Sequence, residues 1–136
     1  MSWDVVLYKF SRIYRTIDEI TPDEQPHSLG SLKDVQTAVS SVFPATNWDD
    51  AQWGTVVTEF GSIEFNVGKE DPVQGLALHV RAGEAVIPGI LQLCERLNCQ
   101  AIDTSAGNFL EQAEQPEKGL QQWRQYRDRV VGNFEA

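Results

Sequence analysis

The sequence predicts an α+β fold, a mainly antiparallel sheet with helices on one face, in the order β-α-β-β-β-α-β-α. Three observations support it. Apolar residues recur at helical spacing in separate segments, residues 54–81 hold short β-rich runs divided by turn residues, and another β-rich run begins the chain. With 136 residues, 41% of them apolar, the chain can bury an ordinary core, so we expect a single domain over residues 1–136.

The first elements follow from local patterns. Residues 3–10 are dense in β-branched and aromatic side chains and predict a strand. Residues 16–30 contain two prolines and four acids, which predicts a long surface loop. Ser31 then provides a cap for the first helix, and its apolar positions recur at helical spacing until Pro44 ends it.

The second half of the pattern begins with a turn-rich acidic segment around residues 48–53. Residues 54–81 predict a three-stranded meander, with a type II′ turn at Gly61-Ser62 and a second loop around residues 68–75. Residues 84–97 predict a helix, residues 100–103 a short strand, and the segment from residue 117 a last helix.

Charge excludes several function classes. The chain has 20 acidic and 11 basic residues, a net charge of −9, and residues 16–75 hold eleven acids against two lysines. Nucleic-acid phosphates and anionic membranes attract basic surfaces, so we expect neither as a partner. The N-terminus shows no leader pattern and no segment is apolar enough to span a bilayer, so we expect a cytoplasmic protein.

Few motifs carry chemistry. The sequence lacks the phosphate-binding loop, the dinucleotide fingerprint, the zinc-protease motif and the nucleophile elbow, so we expect no cofactor and no catalytic residue. Cys94 and Cys99 are too few for a disulfide framework or a zinc site, and we expect two reduced, buried thiols and no metal.

The predicted strand registers bring charged residues to one side of the sheet. The turn above pairs Glu59 with Glu64, and the next hairpin places Glu64 opposite His79, with Arg81 on the same side. Two opposed carboxylates need compensation, for which His79 and Arg81 are candidates. The cluster is either a self-neutralised network, a partner-binding face, or an enzymatic or anion site in which Arg81 holds an anion and His79 transfers a proton.

Two tryptophans flank adjacent acids. Trp48 and Trp53 lie on either side of Asp49 and Asp50. Aromatic area beside negative charge suits an anchor for a basic protein surface. The alternative is that both rings cover the edge of the core.

Four segments resemble a family of small uncharacterised bacterial proteins with WG, IEFN, LHVRGG-like and RALD-like segments in that order. They are WG at 53–54, SIEFN at 62–66, LHVRAG at 78–83 and QAID at 100–103. The resemblance covers about residues 1–115 and departs from the pattern at Ala82 and Gln100. It implies a bacterial origin and no particular activity. At the level of class, the small, acidic, motif-poor chain also resembles toxin-immunity proteins.

Our leading expectation is an acidic protein-binding module, an immunity-type inhibitor that covers a basic bacterial toxin. Its candidate contact residues are Trp48, Asp49, Asp50, Trp53, Glu59 and Glu64. The first alternative is a small enzyme or anion-binding protein using Glu64, His79 and Arg81. The second is a structural or oligomerisation domain, which predicts an extensive apolar patch. The oligomeric state is left open.

Overall fold

A computed structural model describes residues 2–135, with side chains described through residue 130. Seven strands form one sheet in the order β2-β3-β4-β5-β1-β6-β7, and every neighbouring pair is antiparallel. The elements are β1 (Trp3–Tyr8), α1 (Leu32–Val42), β2 (Asn47–Asp50), β3 (Trp53–Thr58), β4 (Gly61–Asn66), β5 (Leu76–Ala82), α2 (Ile87–Leu97), β6 (Gln100–Asp103), β7 (Asn108–Phe109) and α3 (Glu117–Glu135).

The predicted α+β class is confirmed, and the structure adds two short strands. The acidic segment predicted as turns forms β2, and β7 follows the β6 turn. Both lie at the ends of the sheet, where a strand pairs on one side only. Edge strands carry little of the apolar alternation that reveals inner strands, since charge there discourages pairing with other chains.

The helices cover one face of the sheet. Along β1, β4 and β5, alternate residues such as Val5, Phe65 and Leu78 are fully buried. The same core cluster contains apolar side chains of all three α-helices, among them Ile90 and Leu120. The other alternate residues of these strands are partly buried or, in the case of Arg81, exposed. We call that side, which no α-helix of the described residues covers, the open face.

The helix ends follow their local sequence. Ser31 Oγ accepts a hydrogen bond from the Asp34 amide at 3.0 Å, as the capping pattern predicts. Helix α2 ends at Asn98, a left-handed residue, and Cys99 N–H donates to the Cys94 carbonyl at 3.0 Å. The hydrogen bond between the two thiols and their burial raise the pKa of Cys94 well above its usual range. Both cysteines are free and buried, as expected.

The predicted β3–β4 register is wrong. Thr58 pairs with Gly61, so the two-residue loop is Glu59-Phe60, and Glu64 lies opposite Thr55 rather than Glu59. Gly61 does carry a positive φ, +128°, but it is the first residue of β4 and not part of the loop. A turn with negative φ at both loop residues commonly has glycine immediately after it.

The predicted β4–β5 register is confirmed. Phe65 pairs with Leu78, Glu64 with His79, and Ser62 with Arg81. The strand alternation therefore places Glu64, His79 and Arg81 together on the open face.

Hydrogen bonds at Glu24 attach the predicted surface loop over residues 16–30 to the segment that follows β1. Glu24 Oε1 accepts hydrogen bonds from Ser11 Oγ and Tyr14 OH, both at 2.6 Å. These donors lower the pKa of Glu24 below its ordinary 4.5, with Ser11 the largest cause. Tyr14 in turn packs edge-to-face on Phe10, so the hydrogen bond to Glu24 also fixes the position of this aromatic pair.

Acidification is expected to weaken the hydrogen bonds that Ser11 and Tyr14 donate to Glu24. Because the folded-state pKa of Glu24 is lowered, its stabilising contribution is present above the unfolded value near 4.5 and is lost as pH falls through the folded value. We expect Glu24→Gln to reduce the dependence of the unfolding free energy on pH between about 6 and 3, measured by urea denaturation. Asp23→Asn, which removes the neighbouring charge, is the control. Equal pH profiles for the two variants would contradict the assignment.

Candidate functional site

Cross-strand pairing aligns charged residues across the middle of the open face. From β3 to β1 the row reads Thr55, Glu64, His79 and Asp4. His79 therefore lies between two carboxylates. Because side chains directly opposite in an antiparallel pair are close neighbours, their charges influence one another.

Each charged member of the row has a partner. His79 Nδ1 lies 2.9 Å from Asp4 Oδ1, and Arg81 Nη1 donates to Glu64 Oε1 at 2.7 Å. The indole of Trp53 stacks on the His79 ring, with centroids 5.9 Å apart and an interplanar angle of 25°. Glu64 and Arg81 remain partly exposed, so their ion pair contributes little to stability.

The structure brings together residues of both predicted sites, the partner-contact set and the alternative ligand site. Trp53, Glu64, His79 and Arg81 share the open face, and Asp50 lies beside Trp53 as its cross-strand partner. Asp49 precedes Asp50 in the same exposed edge strand.

Two predicted contact residues lie elsewhere. Glu59 occupies the β3–β4 loop, so the expected opposition of Glu59 and Glu64 does not occur. The Trp48 ring lies over Gly54, where a Cβ would come within 2.7 Å of it, and its Nε1–H donates to Ser40 Oγ of α1 at 3.1 Å. Trp48 is partly buried against the core, which fits the alternative that it covers the core edge.

Sequence reasoning missed Asp4. It pairs with His79 because β1 lies between β5 and β6 in the sheet, and the strand order cannot be read from local pattern. One signal was present in the sequence. Asp4 stands between the buried residues Trp3 and Val5, so alternation assigns it to the solvent side of its strand.

A shallow cavity continues the open face beyond this row. Its volume is about 440 Å³, and Val6, Tyr8, Asn66, Lys69 and Ala77 contribute to its lining. Asn66 and Ala77 belong to the row that also contains Trp53 and Val6, so the cavity is next to the stacked Trp53–His79 pair. The open face thus combines the rings of Trp53, His79 and Tyr8 with hydrogen-bonding and charged groups.

Two kinds of feature are absent from the described residues. Within residues 2–130, whose side chains are described, no three His, Cys, Asp or Glu side chains are grouped as metal ligands. Over residues 2–135, none of the helices has both the length and the apolar character that crossing a membrane requires. Exposed aromatic area beside carboxylates remains the main feature of the site.

The resemblance to the bacterial family with WG and IEFN-like segments stays a prediction. Comparison with protein-family models, with curated proteins and with solved structures found no match to this chain.

Proposed function

We propose that this chain is an acidic protein-binding module whose open face docks on a basic protein surface. The observation that carries the proposal is the open face itself, which no described α-helix covers and which presents Trp53, 38% exposed, beside carboxylates. A tryptophan in such a position supplies apolar contact area, which is the usual source of binding energy at the centre of an interface.

Strand β3 adds a second exposed apolar side chain on the same face as Trp53. Val57 lies four residues after Trp53, on the same side of β3, and is 79% exposed. Strand β3 therefore presents two exposed apolar side chains, Trp53 and Val57, with Thr55 between them, next to the acidic edge at Asp50 and the Glu64–Arg81 pair. An apolar centre with a charged rim is the common arrangement of transient protein interfaces.

The charge distribution supports a basic partner. Residues 16–75, which contain β2 to β4, carry eleven acids against two lysines, and the net charge is −9. A field of this sign accelerates encounter with a cationic surface and orients it. The form of this function that we propose is an immunity-type inhibitor, which would occlude a basic toxin sterically after such an encounter.

Hydrogen bonding on the face favours this proposal over an anion site or an enzyme. An anion approaching Arg81 would compete with the 2.7 Å bond to Glu64, and the ring of His79 is engaged by Asp4 and Trp53. A structural or oligomerisation domain would bury Trp53 and Val57 in its interface without needing the acids. The two functions therefore differ in how strongly binding depends on salt.

The test is capture of partners with variants that alter only this face. Immobilised wild-type protein, Trp53→Ala and the double variant Asp49→Asn/Asp50→Asn are compared with Glu84→Gln/Glu95→Gln. That control removes the same charge from exposed positions on the helical side. Proteins retained are identified by mass spectrometry, and association rates are then measured at low and high salt.

We expect a basic protein that binds the wild type and the helical-side control but is lost with Trp53→Ala. The double aspartate variant should associate about threefold or more slowly at low salt, with a flatter salt dependence. The proposal fails if the same proteins bind all four forms, or if only further copies of this chain are retained.

A further inference from the structure

A second site is indicated by the buried carboxylate of Asp103, at the end of β6. The Asp103 side chain lies on the helix-covered side of the sheet, away from the open face, because Asp103 pairs with the buried Val5. Asp103 is 1% exposed and is the one charged residue within the described part of the chain that is buried. Charged groups are rarely buried unless they are fully paired.

One oxygen of Asp103 is saturated. Oδ1 accepts hydrogen bonds from Trp3 Nε1 at 3.0 Å, Ser105 Oγ at 2.7 Å, Ser105 N at 3.0 Å and Ala106 N at 3.1 Å. Four donors on one oxygen stabilise its negative charge and fix the orientation of the carboxylate. They also use all of the acceptor capacity of Oδ1.

The other oxygen has no hydrogen-bond partner among the described residues. Oδ2 faces the first turn of α3, where a Cβ on Gly119 would overlap it. Every fully enclosed side-chain nitrogen or oxygen of the described residues does have a partner, so Oδ2 is not fully enclosed. It therefore opens into the adjoining cavity, which both Asp103 and Gly119 line.

That cavity is roomy and polar. Its volume is about 620 Å³, and its walls include Asn108, Glu114, Gln115, Lys118 and Gln122. Amide side chains can donate or accept, so they can complete the hydrogen bonding of a polar guest. The charged groups that line the cavity are two carboxylates and one ammonium, which leaves a net negative environment.

We propose that this cavity binds a primary ammonium group, which donates to Oδ2 of Asp103. A cation is favoured because Oδ2 belongs to a largely buried carboxylate and has no donor among the described residues, and a charged donor compensates both its charge and its lone pairs. An ammonium is favoured over a guanidinium, because the forked guanidinium group pairs best with both oxygens of a carboxylate and Oδ1 is already saturated. The ammonium belongs either to a free amine or to a lysine side chain of another protein.

Amide NMR titration of the whole protein tests the proposal. The probes are n-butylammonium for a free amine, Nα-acetyl-lysine methylamide for a lysine side chain, and methylguanidinium for the disfavoured geometry. The reporters are the amides of Ser105 and Ala106, which donate to Oδ1, and that of Gly119. Asp103→Asn keeps an oxygen for the four donors but replaces Oδ2 by a donor, while Glu95→Gln removes an equal charge from an exposed position of α2.

A second pair of variants does not disturb the buried carboxylate. Gln122→Lys places an ammonium on the cavity wall, where it should compete with the probe. Gln121→Lys adds the same charge at the neighbouring exposed position of α3, which does not line this cavity. Both changes are on the surface of a helix that tolerates lysine well.

We expect saturable shifts of the three reporters with an ammonium probe, half-saturated on the order of millimolar. Asp103→Asn and Gln122→Lys should each raise that concentration about tenfold or more, while the two controls leave it unchanged. Response to butylammonium alone would indicate a free amine, and equal response to the lysine probe a protein side chain. Shifts that do not saturate, that persist in Asp103→Asn, or that are stronger with methylguanidinium would overturn the proposal.

Discussion

Gly61→Ala is expected to lower the free energy of unfolding by about 3 kcal/mol or more. Gly61 has a φ of +128°, a conformation that residues with a side chain rarely adopt. A Cβ there would overlap the backbone oxygen of Arg81 and the Cα of Ala82 on the neighbouring strand. These are backbone atoms of a paired strand, so they cannot move aside without breaking hydrogen bonds. Urea denaturation followed by tryptophan fluorescence measures the loss.

Gly68→Ala is the matched control. Gly68 also has a positive φ, +76°, but no atom lies within 4 Å of the position its Cβ would take. The variant should therefore show only the conformational cost of left-handed backbone, about 1 kcal/mol. Equal losses of unfolding free energy in the two variants would contradict the prediction that overlap with β5 destabilises Gly61→Ala.

The close approach of β5 to Gly61 also affects the position of residues in the candidate site. Gly61 pairs with Ala82, and counting along the two strands from that pair brings Ser62 to Arg81 and Glu64 to His79. A side chain at Gly61 would push the strands apart nearest to Arg81. We therefore expect the Glu64–Arg81 ion pair to be affected before more distant parts of the sheet.

The sequence predicted the composition of the open face better than it predicted the hairpin. Glu64 was expected opposite Glu59 and is found opposite Thr55. The error is four residues, an even number, and strand side chains alternate with a period of two. Hence the same alternate residues of β3 still share a side with Glu64 although the pairing differs. The grouping of Glu64 with His79 and Arg81 depends only on the β4–β5 register, which was predicted correctly. The positive φ of the glycine was inferred correctly but was assigned to the loop instead of to the first residue of β4.

Residues that depend on strand order could not be predicted. Asp4 reaches His79, and Trp3 reaches Asp103, only because β1 is inserted between β5 and β6. These pairs are separated by 75 and 100 residues in the chain. Local periodicity predicts which face a residue occupies, whereas the identity of its neighbour depends on how distant strands assemble. The burial of Asp103 likewise depends on distant segments, because Trp3 of β1 and Gly119 of α3 surround its carboxylate.

Asp103→Ala is expected to cost about 3–4 kcal/mol of stability, whether or not the cavity binds an amine. The change leaves the indole N–H of Trp3 and the amides of Ser105 and Ala106 without their acceptor. Buried donors that lose their partner carry the full penalty of desolvation. Because Asp103 joins β1 to the turn after β6 and contacts the start of α3 at Gly119, the cost should be felt by the whole domain.

Asp103→Asn separates the hydrogen-bond hub from the charge. Its amide oxygen can accept the same donors, so we expect most of the stability to remain, with a loss of about 1–2 kcal/mol from the weaker neutral bonds. Both losses are measured by urea denaturation, with the Trp3 indole N–H resonance as a local reporter. If alanine and asparagine destabilise the protein equally, charge rather than hydrogen bonding dominates. If neither destabilises it, Asp103 is not the hub that its four contacts imply.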